Sequence, residues 1–395
     1  MKKVFFTFCF ALSTIACNVT RTQTPNQVAH QATTTDPKEA VAYVKATPPE
    51  DLRRLLLGLA MDQHLSERFR TGFMAYYVTG WSGSGFTIAG NGPHTRFVTN
   101  RHVANGSSEV YVSFDNKKTM IRGEIVYIDP EYDLAVVELP NHRPGLELKT
   151  TVSDLEDVRT VGYPGIGRNG NYQIARGSVT NSCVRGNAIG LSARQCWIQH
   201  NAPIDPGSSG GPLLSADSRV LGVNTLMLRR RNSFFLSVPS VHVASALSHA
   251  DDILANRQDA KWMTAQLRTS CRKFVSEMSA KNTNLGTVIP SISYALVTDK
   301  GLHAFEEISD GKLADALKNA MDEDPLEAIQ LAIYLSLQDT FVEFGGIQLN
   351  ETCEHVNPND DVLSGEDIRV DVQMREGHVE LDWRFERGEW RLSGY

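Results

Sequence analysis

From about Gly72 to Ala246 the chain is a succession of short runs rich in β-branched and aromatic residues, each cut off by glycine, asparagine or proline. "MAYYVTGW", "RFVTN", "EVYVSF", "EIVYI", "LAVVEL", "CWIQH" and "VLGVNTLM" are the clearest of them. Many short strands separated by turn signals predict an all-β barrel or sandwich. Helices do not alternate with these runs, so a parallel α/β sheet is not expected.

The flanks differ in character. At 395 residues the chain has room for two domains and a short extra segment. Lys2 and Lys3 precede an apolar run from Val4 to about Ala16. That pattern reads as a secretory signal peptide over 1–16, too short to span a bilayer. A stretch poor in large apolar residues, 17–50, reads as a tether. "DLRRLLLGLAMDQHL" has helical spacing and an acidic start, so 51–71 reads as a helical lead-in to a β domain over 72–248. Residues 249–395 read as a smaller α+β domain: helical periods first, then alternating strands "IRVDVQM", "HVELDWRFER" and "EWRLSGY". The last of these resemble the curved-sheet strands of NTF2-like cone folds.

Six cysteines sharpen the expectation of export. Cys9 leaves with the signal peptide. "STIAC" resembles a bacterial lipobox, with Thr14 where leucine is usual, so Cys17 is a candidate for lipidation; ordinary cleavage nearby, or removal of Cys17, are the alternatives. The other four are expected to pair in an oxidising compartment. Cys183 and Cys196 flank a glycine-containing turn and suit a cross-hairpin disulfide. Cys271 and Cys353 would then tie helix to sheet in the second domain. A net charge of −7 argues against a nucleic-acid binder, and Arg229–Arg230–Arg231 reads as a solvated loop.

The segment "IDPGSSGGPLL", Ile204–Leu214, makes a poor helix and a poor strand. Glycines around Ser209 permit a tight turn with positive φ, which can aim the amides of Gly207 and Ser209 at one point as an anion-binding nest. A serine hydroxyl is a weak nucleophile unless a base lies within hydrogen-bond reach and a third group orients that base. His102, after a short strand in "TNRHV", and Asp133, leading an apolar strand in "YDLAVVEL", supply candidates for both.

With these three motifs in the order His, Asp, Ser, the chain resembles trypsin-like serine proteases, and more closely the bacterial HtrA/Deg type. The resemblance covers about Gly72 to Ala246 and extends to "VLGVNT", similar to the strand lining that family's substrate groove. It implies a double β-barrel with the active site in the cleft between barrels. It also implies Ser209 as nucleophile, His102 as general base and acid, Asp133 as the orienter of His102, and Gly207 and Ser209 as oxyanion donors. Ser208 stands where the family has asparagine. A PDZ domain is not recognisable, so peptide sensing and cage assembly are not carried over. Trypsin-like enzymes that cleave after Lys or Arg keep an acid about six residues before the nucleophile, here near Pro203; an uncharged pocket favours small or aliphatic side chains.

Other readings are weaker. "GSSGG" fits the nucleophile elbow of α/β-hydrolases, which needs a parallel sheet. A Gly/Ser-rich loop in a non-catalytic β protein lacks a reason for the upstream motifs. The remaining histidines show no metal-ligand spacing, and "CEHVNPNDD" reads as a disulfide cysteine beside an acidic loop. The expectation is therefore an exported serine endopeptidase acting on proteins or peptides in the bacterial envelope, with no metal or cofactor. A protease-fold binding module, inactive or awaiting an activator, is the alternative. The C-terminal domain is expected to present substrate, regulate, or bind a partner protein.

Overall fold

The computed structural model describes residues 33–34, 36–63, 65–90, 94–105, 107, 109–129, 131–165, 171–186, 195–227, 234–278, 297, 328–335, 337, 353, 355–356, 362–374 and 377–394. The signal peptide, Cys17 and the triple-arginine run lie outside them.

Two closed six-stranded barrels form the centre. The first contains β1 (Val41–Ala46), β2 (Trp81–Thr87), β3 (Thr95–Thr99), β4 (Glu109–Ser113), β5 (Ile121–Ile128) and β6 (Ala135–Leu139), closed in the order β1-β2-β3-β6-β5-β4. The second contains β7 (Asp157–Gly162), β8 (Gln173–Arg185), β9 (Cys196–His200), β10 (Pro212–Ser215), β11 (Val220–Met227) and β12 (Phe235–Pro239), closed as β10-β11-β12-β9-β8-β7. Closure removes the exposed edges that would otherwise template aggregation.

Two elements differ from the sequence reading. Val41–Ala46, expected as tether, is a buried strand that closes the first barrel by pairing with β2 and β4. Met74–Thr79, expected as strand, belongs to a helix. α1 (Pro37–Ala40) precedes the barrel, and α2 (Glu50–Met61) and α3 (Glu67–Thr79) sit between β1 and β2. α2 buries Leu52, Leu55, Leu56 and Leu59, an i, i+3, i+4, i+7 stripe. α3 buries Phe69 and Phe73, one turn apart, and ends at Gly80, whose φ of +64° stops the helix.

α4 (Arg101–Ala104) follows β3, and α5 (Ser240–Asn256) and α6 (Ala260–Met278) follow β12. A four-stranded antiparallel sheet, in the order β13 (His355–Val356), β14 (Ile368–Met374), β15 (Gly377–Glu386) and β16 (Glu389–Gly394), completes the smaller α+β region. This region does not keep its core to itself. Leu267 and Phe274 of α6 and Val370, Leu381, Trp383 and Trp390 of the sheet share one buried cluster with Val44, Phe97, Val112 and Val137 of the first barrel. A second cluster, including Val41, Phe86, Val136, Val161, Val223 and Leu236, joins the barrels to Val243 and Ala250 of α5. Cys183 and Cys196 are joined across the β8–β9 hairpin, and Cys271 of α6 is joined to Cys353 ahead of β13.

Candidate active site

His102 and Asp133 come from the same end of one barrel wall, where Thr99 of β3 lies opposite Ala135 of β6. β3 feeds directly into α4, so His102 stands at the strand's exit, and Asp133 precedes β6, the neighbour of β3. Asp129 shapes the intervening turn, its Oδ1 accepting the N–H groups of Glu131 (2.8 Å) and Tyr132 (2.7 Å). Short polar side chains make turns of this kind by hydrogen-bonding the backbone two residues on. The turn delivers Asp133 Oδ2 to 2.7 Å from His102 Nδ1, while Oδ1 accepts the backbone N–H of His102 at 2.9 Å. Asp133 is 15% exposed at its side chain and His102 29%. Burial acts to raise the Asp133 carboxyl pKa; the charge and hydrogen bond of His102, with Arg101 nearby, outweigh it and hold the group below the usual carboxylate range.

Asn100 fixes this block to the second barrel. Its Nδ2 donates to Asp133 O at 2.7 Å and to Thr225 Oγ1 of β11 at 3.0 Å. A residue positioned to cap α4 thus spends its amide across the cleft instead.

The Ser209 loop comes from the second barrel and is pinned by backbone hydrogen bonds within the loop and to β11. Ser208 N–H donates to Asp205 O (2.8 Å), Gly210 N–H to Asn224 O (2.9 Å), and Gly211 N–H to Ser208 O (3.0 Å). Among the described residues, the N–H groups of Gly207 and Ser209 have no acceptor in the protein. Two unspent donors, one on each side of the buried Ser208, are what an oxyanion needs. Ser208 Oγ accepts weakly from Asp205 N–H at 3.4 Å, so the serine at this position closes the turn. Gly210, at φ +84°, is forced: a Cβ there would lie 2.1 Å from Ser84 O and 2.4 Å from Thr99 Oγ1.

Ser84 of β2 is a residue that the sequence reading passed over. Its Oγ donates to Gly207 O (2.7 Å) and accepts Tyr163 N–H (2.8 Å), its N–H donates to Ser209 O (2.8 Å), and its carbonyl accepts Thr99 Oγ1 (2.7 Å). It is fully buried.

Pro203, the position where a pocket acid would stand, offers its carbonyl to Thr160 Oγ1 at 2.7 Å. His200, nearby on β9, is fully buried, its Nδ1 3.1 Å from Ala202 O and its Nε2 3.0 Å from Ser237 Oγ. Burial lowers its pKa to about 4, so the ring is neutral at pH 7. Among the described residues, no group of three or more His, Cys, Asp or Glu side chains is arranged to hold a metal.

Residues 83–223 match the family of the trypsin-like peptidase domain, a span that includes His102, Asp133 and Ser209. That segment is a trypsin-like peptidase domain. The domain is similar to serine protease HTRA1A of Danio rerio, at 33% identity over 180 residues covering 44% of this chain and 36% of that protein. A probable periplasmic serine endoprotease, DegP-like, of Bartonella henselae is 26% identical over 299 residues, covering 73% of this chain and 50% of its own. The chain thus spans half or less of the length of these relatives. Among solved structures, the Rv3671c protease of M. tuberculosis in its active form aligns with a TM-score of 0.41 and 21% identity, over 54% of this chain and 81% of that one.

Proposed function

We propose that the protein is a serine endopeptidase that hydrolyses peptide bonds through an acyl-enzyme on Ser209. One observation carries the reading: the 2.7 Å contact of Asp133 with His102 Nδ1, beside a serine loop whose Gly207 and Ser209 amides are unspent.

The chemistry follows from those groups. Asp133 holds His102 with its proton on Nδ1, leaving Nε2 to take the Ser209 hydroxyl proton as Oγ attacks the substrate carbonyl carbon. The carbonyl oxygen becomes an oxyanion that the Gly207 and Ser209 amides receive. Collapse breaks the C–N bond, His102 returns the proton to the leaving amine, and an ester on Ser209 remains. Water then attacks the ester, again giving its proton to His102, and the acid departs as Ser209 regains its hydrogen. The ionised state of Asp133 stabilises the imidazolium that forms in each half.

Protein or peptide substrates fit this reading, and proline rather than an acid at position 203 favours small or aliphatic residues before the cleaved bond. The DegP-like relatives named as periplasmic support a location in the bacterial envelope. The charged start and short apolar run at residues 1–16 support export, and Cys17 is the candidate lipid attachment site. Among the described residues, no helix is long and apolar enough to cross a membrane.

Cleavage of an unfolded protein substrate tests the reading. The wild type is expected to cut it into discrete peptides and Ser209→Ala to leave it intact. Equal cleavage by both would overturn the assignment of the nucleophile.

A further inference from the structure

The C-terminal sheet reaches the helix that carries His102. The turn between β15 and β16 contains Arg387 (φ +52°) and Gly388 (φ +84°). Arg387 is 8% exposed, and its Nη1 donates both to the backbone carbonyl of Asn105 (3.2 Å) and to Asn105 Oδ1 (2.9 Å). Asn105 is the residue on which α4 ends, where carbonyls have no helical donor and need another. Gly388 lies flat on β5: a Cβ there would come within 2.4 Å of Val126 O and 3.2 Å of Tyr127 Cα.

One turn therefore touches both arms of the His–Asp pair. Arg387 holds the end of α4, three residues from His102. Gly388 seats on the strand that runs into Asp129, whose turn delivers Asp133. The two arms are already cross-linked, since Arg101 Nη1 donates to Asp129 O at 3.3 Å. A guanidinium buried at such a junction is poor value for stability alone, because desolvation consumes much of what its hydrogen bonds return. The seat of the sheet has other anchors: Trp390 Nε1 donates to Met263 O at 3.0 Å, and the Cys271–Cys353 disulfide ties α6 to the chain just before β13.

We propose that Arg387 is a positioning residue for His102, acting through Asn105 and α4, so that the C-terminal sheet sets the rate of the peptidase reaction. The proposal rests on the endopeptidase reading above. It gives the C-terminal region a role in catalysis without contact with substrate.

The test compares the full mature chain with Arg387→Gln, Arg387→Lys and, as control, Arg369→Gln, whose arginine pairs with Asp382 on the exposed part of the same sheet. Turnover of a quenched fluorescent peptide is measured per titrated active site, with thermal midpoint and hydrogen exchange of the segment 96–105. A small displacement of a reacting group lowers rate by about 10- to 100-fold. Arg387→Gln is expected to lose that much kcat with KM within about twofold, and to exchange faster in 96–105. Arg387→Lys should recover part of the loss, and Arg369→Gln should match the wild type. If Arg387→Gln does not fold, Asn105→Ala, which removes one acceptor, replaces it with a smaller expected loss. Wild-type kcat and exchange in the folded variant would overturn the proposal, as would a loss explained wholly by fewer titrated sites. If the wild type itself neither cleaves nor labels, the endopeptidase reading fails; faster exchange in Arg387→Gln would still support the link from sheet to helix, and unchanged exchange would overturn it.

Discussion

Asp133 grips His102 twice, with Oδ2 2.7 Å from the ring Nδ1 and Oδ1 accepting the backbone N–H of the same residue at 2.9 Å. The carboxylate therefore fixes both the ring's tautomer and the position of the residue that bears it. Asp133→Asn keeps the shape but presents an amide to the ring. Turnover is expected to fall about ten-thousandfold with KM little changed. Steady-state kinetics on a small ester substrate checks this, and a loss below about tenfold would contradict the role.

Ser84 ties the first barrel to the loop holding the candidate oxyanion donors, Gly207 and Ser209. In Ser84→Ala the buried Tyr163 N–H loses its acceptor and Gly207 O its donor, a cost of about 1–3 kcal/mol. The loop should also lose its set position, lowering kcat by about tenfold or more. Denaturant unfolding and kinetics on the same preparation separate the two effects; unchanged kcat in a folded variant would show that the loop holds itself.

Gly210→Ala is expected to be severe. It places a side chain on a backbone at φ +84° with a carbonyl oxygen 2.1 Å from the new carbon. Strain and overlap together cost about 3 kcal/mol or more. Low yield or a markedly lower midpoint of thermal unfolding is the expected readout.

His200 gives stability an acid limb. Its folded pKa of about 4 lies below the ordinary histidine value, so between roughly pH 6.5 and 4 the unfolded chain binds a proton that the folded chain does not. Stability therefore falls as pH drops through that window, by about 3 kcal/mol from this residue. Urea unfolding at pH 4.5 and 7 should show a smaller difference in His200→Gln than in the wild type; an equal difference would assign the loss to other groups.

How much of this was written locally varies by element. Strands such as "LAVVEL" and "CWIQH" are short segments rich in β-branched, aromatic and other apolar residues, and they stand where their pattern predicts. "VAYVKA" is equally strand-like, but its reason to be ordered lies far away, in pairings with Trp81–Phe86 and Tyr111–Ser113. "MAYYVT" carries β-favouring residues, yet the Phe69–Phe73 spacing and the stop at Gly80 make it helix. The three residues of the candidate triad stood out because each sits in a recognisable local motif. Ser84 and Asn100 did not, because their meaning lies in partners across the cleft. Arg387 meets Asn105 across 282 positions, and no local pattern announces such a contact.

The most direct measurement treats the purified protein with a fluorophosphonate probe and maps the adduct by mass spectrometry, with Ser209→Ala alongside. One phosphonyl group on Ser209 of the wild type, and none on the variant, is the expected result. A wild type that stays unmodified, or carries the adduct elsewhere, would contradict an activated Ser209.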